Sequence, residues 1–391
     1  MSAAGKNKII LPGSTIGILG GGQLGRMMAL SGRHMGYRFI TLDPTEDSPC
    51  GQVADRQITA AYDDLSAAEQ LAEQADVITY EFENVNAHVV EWLSSKAYVP
   101  QGSELLSITQ HRLREKRAVQ EAGAKVAPYA EITSEAQLTD ELRRLGLPSV
   151  LKTATGGYDG KGQRVIRRQE EAKAAYAELS QANTELILEQ FIPFVKEISV
   201  IAARNPNGET VTFPVAENIH IDNILHMSIV PARISREICN NAEAVAKNIA
   251  EYLDVIGLLA VEMFVAANGE IFVNELAPRP HNSGHYTMEA CKTSQFEQHI
   301  RAICNLPLGS TELMSPVVMV NVLGEHVEAL LDSLPRWETP DNIEVKIHLY
   351  GKKEAKTKRK MGHINVLAND VETALRWIEQ LPVWKQNVTP V

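Results

Sequence analysis

The feature that most constrains the fold of this chain is a β-prone run that ends in a glycine turn and leads into a helical pattern. Residues 16–19 form the run, Gly20-Gly21-Gly22-Gln23-Leu24-Gly25 forms the turn, and residues 23–33 are predicted as a helix. Further strands are predicted at residues 37–43 and 76–82, with helical patterns between them. Strands that alternate with helices indicate an N-terminal doubly wound domain with a parallel sheet.

The same turn matches G-x-G-x-x-G, and Asp43 ends the next predicted strand 18 positions after Gly25. This is the dinucleotide-binding pattern in its expected context, so an NAD-dependent oxidoreductase is one hypothesis. Glycines at a helix N-terminus accept any phosphate, including that of a ribonucleotide. A tight turn without a ligand is the third interpretation.

The length of 391 residues predicts two or three domains. Residues 1–110 are predicted as the doubly wound domain. Residues 111–308 are predicted as an antiparallel α+β domain with a lid over about residues 124–203, and residues 309–391 as a small α+β cap. The fold class is therefore a combination of α/β and α+β.

The amino-acid composition limits the possible binding partners and the cellular compartment of the protein. A formal net charge of −11 gives no general attraction to nucleic acid or anionic lipid. The apolar stretches fall short of the roughly 20 residues of a membrane span, and residues 1–14 contain no apolar signal region. Cys50, Cys239, Cys291 and Cys304 lack C-x-x-C spacing. We therefore expect a cytoplasmic enzyme with no membrane span and no nucleic-acid partner.

A second glycine loop follows a predicted apolar strand that carries Lys152. Residues 155–162 read Thr-Gly-Gly-Tyr-Asp-Gly-Lys-Gly, which indicates a mobile loop whose backbone N–H groups close over phosphates. Lys152 would be costly to bury without an anion, although an edge-strand lysine that reaches solvent is equally compatible. Residues 186–192 then end a strand in an apolar linker suited to a purine, and Glu197 beyond it suits ribose hydroxyls.

Two acids are predicted to face each other across one hairpin. Glu262 lies in one apolar strand and Glu275 near the end of the next, equally far from Asn268-Gly269, a strong hairpin signal. Opposed carboxylates in an apolar sheet repel each other unless a cation lies between them. Mg²⁺ with nucleotide phosphates is the favoured occupant; a metal-free dyad with a raised pKa and simple solvent exposure are the alternatives.

The segment after Glu275 is irregular and rich in donors. Arg279 lies between Pro278 and Pro280, on a stiff backbone that suits recognition of a small planar oxyanion. His281 follows, and by itself it would be read as an ordinary loop histidine.

Together these motifs make the chain resemble the 5-(carboxyamino)imidazole ribonucleotide synthetases, ATP-grasp enzymes of purine biosynthesis. The resemblance covers nearly the whole chain and is carried by five segments, at residues 20–27, 80–85, 156–162, 274–285 and 359–363. It implies an ATP-grasp fold and carboxylation of 5-aminoimidazole ribonucleotide with bicarbonate through carboxyphosphate. ATP and Mg²⁺ would be required, and a homodimer is implied.

The resemblance also implies the site residues. ATP would contact Arg112, Lys152, Gly157, Tyr158, Asp159, Gly160, Lys161, Gly162, Gln163, Glu189, Gln190, Phe191, Ile192, Glu197, His220, Asn274 and Glu275. Glu262 and Glu275 would hold Mg²⁺. Catalytic roles would fall to Tyr158, Asp159, Arg279, His281, Asn282 and Lys352, and substrate contacts to Gly22, Gln23, Leu24, Glu81, Arg279, Lys352 and Arg359.

A basic run in an otherwise acidic chain supports a phosphate site. Six basic residues crowd nine positions between Lys352 and Lys360, although a solvated hairpin tip would look the same. Lys161 replaces the arginine found at this loop position in many family members, so charge is kept and bidentate geometry is lost.

Two further enzyme classes would share the nucleotide site, namely a formate-using ribonucleotide transformylase and a biotin carboxylase. Only the region that binds the acceptor distinguishes them from the synthetases. A non-catalytic nucleotide-binding module is a third class, and such a module would not need Arg279 and His281 beside the metal.

Overall fold

The computed structural model describes residues 8–157, 161–180 and 184–384. A parallel α/β sheet is followed by antiparallel α+β sheets, as expected from the sequence. No helix of these residues is long and apolar enough to cross a membrane.

The N-terminal sheet is parallel, with the order β3-β2-β1-β4. Its elements are β1 (Thr15–Leu19), α1 (Gln23–His34), β2 (Arg38–Leu42), β3 (Arg56–Ile58), α2 (Leu65–Gln74), β4 (Val77–Tyr80) and α3 (Ala87–Lys96). Helices cover both faces, so Ile16, Ile18 and Leu19 of β1 are fully buried in two separate apolar clusters. This sheet places the residues that follow β1 and β4 at one edge.

Two connecting helices, α4 (Glu104–Thr109) and α5 (Arg112–Glu121), lead to the region that was predicted as a lid, and we keep that name for it. The lid contains β5 (Tyr129–Ile132), α6 (Glu135–Leu145), β6 (Ser149–Thr153), β7 (Gln163–Ile166), α7 (Ala172–Leu179) and β8 (Leu186–Gln190). Its antiparallel sheet has the order β5-β8-β6-β7. The lid sheet ends at Gln190, whereas the lid predicted from the sequence extends to about residue 203.

The next strands form the large antiparallel sheet. They are β9 (Phe194–Arg204), β10 (Thr210–Thr212), β11 (Ala216–Ile221), β12 (Ile224–Val230), β13 (Gly257–Ala266) and β14 (Ile271–Ala277). The helices of this region are α8 (Arg236–Tyr252), α9 (Thr287–Ala290) and α10 (Gln295–Ile303). Strand β9 lies between β13 and β11 in this sheet.

The C-terminal elements extend the same sheet. They are β15 (Val317–Leu323), α11 (Val327–Ser333), β16 (Ile343–Leu349), β17 (Lys360–Ala368) and α12 (Val371–Gln380), and β15 pairs with β12. Val317, Val318, Val320 and Val322 are fully buried. An apolar strand buried on both faces needs neighbours on both sides, so the region predicted as a small cap shares its sheet with the preceding region. The domain boundaries inferred from the sequence stay predictions.

Candidate active site

The two opposed carboxylates come from the hairpin of β13 and β14. Glu262 pairs with Glu275 in the antiparallel register, as predicted. The turn is longer than the Asn268-Gly269 pair, because Ala266 N–H donates to Glu270 O at 2.9 Å, and Gly269 has φ of +84°. Met263 pairs with Val273, and an irregularity between Glu262 and Met263 then restores Glu275 as the partner of Glu262. A β-bulge therefore sets the pairing.

Electrostatics make this pair a suitable cation site. Burial, and next the Glu275 carboxylate, raise the pKa of Glu262. Glu275 lies 3.7 Å from Arg112 Nη1, and Glu262 Oε1 lies 3.2 Å from His281 Nε2. The described residues contain no group of three or more His, Cys, Asp or Glu side chains able to hold a metal ion. One or two carboxylates completed by substrate phosphates are the usual Mg²⁺ donors, and this pair fits that set.

A buried cationic cluster lies beside the hairpin. Lys152 Nζ is 2.9 Å from Glu189 Oε2, and Lys116 Nζ is 3.4 Å from Glu189 Oε1. Burial raises the pKa of Glu189, but Lys116 and Lys152 outweigh it and hold that pKa at about 2. Two ammonium groups therefore share one carboxylate, which leaves positive charge for a phosphate.

The loop between β6 and β7, which we call the lid loop, contacts this region at Arg112. The Arg112 side chain donates to Gly157 O at 3.3 Å, and a Cβ at Gly157 would lie 2.8 Å from Lys161 O. Gln163 pairs with Lys152 across β6 and β7, and Gly162 precedes it. Tyr158, Asp159 and Gly160 lie outside the described residues. Of the described loop residues predicted to meet ATP, Gly157 thus lies beside Arg112 and Gln163 beside Lys152.

The apolar linker after β8 lies next to an aromatic wall. Gln190, Phe191 and Ile192 lead from the lid into β9, where the Phe194 ring stacks on Phe264 at a centroid distance of 4.6 Å. Phe264 follows Glu262 by two positions on β13, and so lies on its side of the strand. Glu197 Oε2 is 2.8 Å from His220 Nδ1, and this carboxylate raises the pKa of His220 against the effect of burial.

Arg279 is held by Glu83, for which no role was predicted from the sequence. The Arg279 guanidinium forms a two-point ion pair with Glu83, with 2.8 Å between Nη2 and Oε1, and Nη1 donates to Pro280 O at 3.0 Å. Burial raises the pKa of Glu83, but Arg279 outweighs it and holds that pKa at about 2. Both amide atoms of Asn282 are buried without a hydrogen-bond partner in the described part of the chain. Buried amides need partners, so Asn282 is available for a polar ligand.

Replacing Glu83 by glutamine is expected to lower the turnover number about tenfold, because the two-point ion pair that orients Arg279 becomes a single hydrogen bond to a neutral amide oxygen. Phosphate release from ATP in the complete reaction measures this effect. Glu91→Gln, on the exposed side of α3 with 73% of its side chain accessible, is the control. Equal activity of the two variants would contradict an orienting role of Glu83.

The N-terminal glycine turn is filled by carboxylates of the chain itself. Glu81 accepts the N–H groups of Gly22 and Gly25, the latter at 2.6 Å, and Asp43 accepts that of Gly21 at 2.7 Å. Burial raises the pKa of Glu81 to about 7, against the amides of Gly25 and Gly22, which lower it. These amides are the ones a dinucleotide pyrophosphate would use. The arrangement therefore argues against the oxidoreductase hypothesis.

Part of the predicted substrate set lines one basic cavity. Its volume is about 970 Å³, and its lining includes Gln23, Lys161, Lys352 and Arg359. Burial, and next Arg359, lower the pKa of Lys352 to about 8, while Glu81 raises it. Leu24 is instead packed in the N-terminal core, so its side chain does not reach the cavity. The cavity suits an anionic group such as a phosphate.

Glu115 and Lys116 also lie at the site, although no site role was predicted for them. Both side chains are 2% exposed, and Glu115 accepts the N–H of Leu276 at 2.7 Å, next to Glu275. Charged residues of helix α5 would ordinarily face solvent.

For Glu83, the sequence signal that could have indicated a site role was the tyrosine-glutamate-phenylalanine-glutamate motif at residues 80–83.

Three family models match the chain, and together they span most of it. They describe a ribonucleotide synthetase preATP-grasp domain at residues 13–110, an ATP-grasp domain at residues 117–296 and a phosphoribosylaminoimidazole carboxylase C-terminal domain at residues 317–376. The order of the three matches follows the order of the three structural regions.

Relatives and solved structures extend the match to nearly full length. The N5-carboxyaminoimidazole ribonucleotide synthase of Bacillus subtilis is 52% identical over 375 residues, with 96% of each chain covered. An ADP complex of an N5-carboxyaminoimidazole ribonucleotide synthetase has a TM-score of 0.93 at 57% identity, covering 97% of this chain and 99% of the other. The Aspergillus clavatus synthase, solved with ADP and 5-aminoimidazole ribonucleotide, has a TM-score of 0.88 at 31% identity, covering 95% and 99%.

Proposed function

This chain belongs to the N5-carboxyaminoimidazole ribonucleotide synthase family of ATP-grasp ligases, and we propose that it uses bicarbonate, activated as carboxyphosphate, at the site described above. It carboxylates 5-aminoimidazole ribonucleotide in an ATP-dependent reaction of purine biosynthesis. The products are then 5-(carboxyamino)imidazole ribonucleotide, ADP and phosphate.

The observation that supports this proposal most strongly is the convergence of three kinds of group in one region. Glu262 and Glu275 are opposed on the hairpin, and the His281 side chain touches Glu262. Arg112 lies 3.7 Å from Glu275 and also near Glu189, which pairs with Lys152 and Lys116. An acid pair, a cationic cluster and a segment of hydrogen-bond donors suit phosphoryl transfer to a small oxyanion.

The nucleotide end is assigned to the lid and its neighbours. Lys152 and Arg112 would face the phosphates, and the lid loop would cover them. Glu197, paired with His220, would accept the ribose hydroxyls, while the linker at Gln190, Phe191 and Ile192 would border the base. The carboxylates of Glu262 and Glu275, with Asn274 beside them, would hold Mg²⁺. When bound, Mg²⁺ neutralises charge on the phosphates and favours transfer of the γ-phosphoryl group.

Bicarbonate is assigned to the segment after β14. The Arg279 guanidinium, oriented by Glu83, would place a bicarbonate oxygen for in-line attack on the γ-phosphorus, with ADP as the leaving group. Carboxyphosphate would then break its carbon–oxygen bond to give carbon dioxide and phosphate. His281 and Asn282 would donate hydrogen bonds to the oxyanions during these steps.

The ribonucleotide is assigned to the basic cavity. Lys352 and Arg359 would bind its phosphate, and Gln23 and Glu81 would border its ribose at the glycine turn. Its exocyclic amine would attack carbon dioxide and lose one proton. Asp159 and Tyr158 stay candidates for orienting that amine. Closure of the lid would exclude water, which otherwise hydrolyses the intermediate.

The pH dependence of ribonucleotide use tests the role of Lys352. Its amine carries a charge below its pKa of about 8 and loses that charge above it. We therefore expect kcat/KM for the ribonucleotide to fall about tenfold per pH unit above about pH 8. Lys352→Arg keeps a cation at high pH, so its profile should lose this decline. A decline of equal size in both proteins would contradict the role of Lys352, because the decline would then come from a group that both proteins share, such as Glu81.

Phosphate release with Mg²⁺-ATP and 5-aminoimidazole ribonucleotide, measured with and without bicarbonate, tests the proposed function. Bicarbonate should stimulate release, and one phosphate should appear per carboxylated ribonucleotide. Stimulation by formate alone would instead indicate a transformylase.

The homodimer implied by the resemblance and the cytoplasmic location inferred from composition stay predictions. Sedimentation of the purified chain tests the first, since a homodimer has about twice the mass of the 43.1 kDa chain.

A further inference from the structure

A row of buried polar side chains connects strand β12 to His281. Ser228 Oγ is 2.8 Å from Asn218 Oδ1, Asn218 Nδ2 is 2.9 Å from Ser199 Oγ, and Ser199 Oγ is 2.7 Å from Ser283 Oγ. Ser283 Oγ is in turn 2.8 Å from His281 Nδ1. None of the four residues Ser228, Asn218, Ser199 and Ser283 is more than 6% exposed. We call these four residues the polar relay.

The direction of the hydrogen bonds follows from one group that cannot rotate. The backbone N–H of Ser283 points at His281 Nδ1 at 3.3 Å, as in a helix N-cap. A backbone amide can only donate, so Nδ1 must accept and carries no proton. The Ser283 hydroxyl then also donates to Nδ1, and its oxygen accepts from Ser199. Asn218 donates to Ser199 and accepts from Ser228, so every bond in the relay runs toward His281.

This direction determines which ring nitrogen of His281 carries hydrogen. With Nδ1 accepting two hydrogen bonds, the proton of the neutral ring lies on Nε2, which is 3.2 Å from Glu262 Oε1. The only ring lone pair faces the interior. Nε2 can therefore donate a hydrogen bond into the site but cannot take a proton from a substrate there.

The backbone of His281 is fixed as well. Gln295 accepts its N–H at 2.8 Å and donates to its carbonyl at 2.8 Å, and Gln295 is fully buried. Ring and backbone are thus held by separate buried groups. Burying four polar side chains costs more desolvation free energy than burying apolar ones. Because their hydrogen bonds satisfy one another, the four side chains are held in a single conformation.

We propose that the polar relay of Ser228, Asn218, Ser199 and Ser283 is a positioning device that holds His281 with its proton on Nε2, so that His281 serves the carboxylation site as a hydrogen-bond donor and not as a general base. This inference rests on the proposed function for the identity of the oxyanion, which is bicarbonate or carboxyphosphate. The hydrogen-bond pattern itself is independent of that function.

Nitrogen NMR of the full chain labelled with ¹⁵N-histidine tests the proton position directly. His281→Gln identifies the His281 signals by their loss. The expected pattern is a pyridine-type resonance for Nδ1 and a pyrrole-type resonance for Nε2. A reversed pattern, or a doubly protonated ring near neutral pH, would overturn the proposal.

Kinetics of relay variants test its consequence. Ser283→Ala is expected to lower kcat/KM for bicarbonate about fivefold, the effect of one lost hydrogen bond, with KM for ATP unchanged. Ser333→Ala, which removes a buried hydroxyl that donates to Leu330 O at 3.1 Å in the C-terminal region, is the matched control. Equal kinetics of the two variants, at equal melting temperature, would refute positioning by the relay.

Two variants of His281 separate a donor from a base. Glutamine places an N–H donor near the position of Nε2, so His281→Gln should keep several-fold more activity than His281→Ala. Equal loss in both would favour proton transfer and overturn the donor role. If the unmodified protein releases no bicarbonate-dependent phosphate, the proposed function fails, while the NMR pattern still decides the proton position.

Discussion

Glu262→Gln is expected to lower bicarbonate-dependent phosphate release about a thousandfold while the chain stays folded. One of the two carboxylates assigned to Mg²⁺ is replaced by a neutral amide. A metal ion supplies several kcal/mol of transition-state stabilisation. Glutamine keeps a side chain of the same size beside His281, whose Nε2 is 3.2 Å from Glu262 Oε1 in the native chain. The assay is phosphate release at saturating ATP with varied Mg²⁺.

The same substitution is expected to stabilise the fold, although it lowers activity. Burial and Glu275 raise the pKa of Glu262, so ionisation of Glu262 destabilises the fold as pH rises above the ordinary carboxyl range. Glutamine never ionises. Without nucleotide and Mg²⁺, the variant should therefore melt higher than the native chain near pH 8, and the difference should shrink toward about pH 5.

Glu270→Gln is the control for both measurements. Glu270 is partly exposed near the turn of the same hairpin and is 2.6 Å from Lys125. It should leave phosphate release unchanged and should not raise the melting temperature. Near-native activity of Glu262→Gln, or a lower melting temperature near pH 8, would show that the carboxylate pair is not the electrostatically strained cation site proposed here.

Arg279→Lys is expected to lower bicarbonate-dependent phosphate release by about a hundredfold or more, with KM for ATP unchanged within about twofold. Lysine keeps the positive charge but loses the planar fork that contacts Glu83 and Pro280 O. Loss of one well-placed donor to a developing oxyanion has an effect of this size. Initial rates at varied bicarbonate and fixed ATP measure it.

Arg301→Lys, in an ion pair with Glu297 on α10, is the matched control and should be close to native. The double variant with Glu83→Gln adds a second check. If Glu83 acts through Arg279, the two effects should not be additive. More than a tenth of native activity in Arg279→Lys would contradict its assignment to the oxyanion.

The sequence was sufficient for the local elements and for the acid pair. Helix α1 spans Gln23–His34, as the helical pattern at residues 23–33 predicted, and strand β6 (Ser149–Thr153) carries Lys152, as expected. Glu262 pairs with Glu275, although the bulge that produces this pairing was not foreseen. Periodicity and turn residues act over a few positions, so they predict which residues form strands and which strands form a hairpin.

The meaning of the glycine turn needed the tertiary structure. A G-x-G-x-x-G turn followed by an acid is compatible with a dinucleotide, and only the packing of β4 beside β1 brings Glu81 onto the amides of Gly22 and Gly25. The partner is 56 residues beyond Gly25. No local pattern carries that information.

Burial of charge was likewise decided by packing. Lys116 lies in a strongly polar helix, yet it is almost fully buried against Glu189 of the lid, and Glu83 reaches Arg279 across 196 positions of sequence. The sequence alone determined the order of elements, the glycine loops and the facing acids, because these depend on neighbouring residues. The tertiary structure alone decided which charges are buried, which partners hold Arg279 and which nitrogen of His281 carries the proton, because desolvation and hydrogen-bond direction depend on groups that only folding brings together.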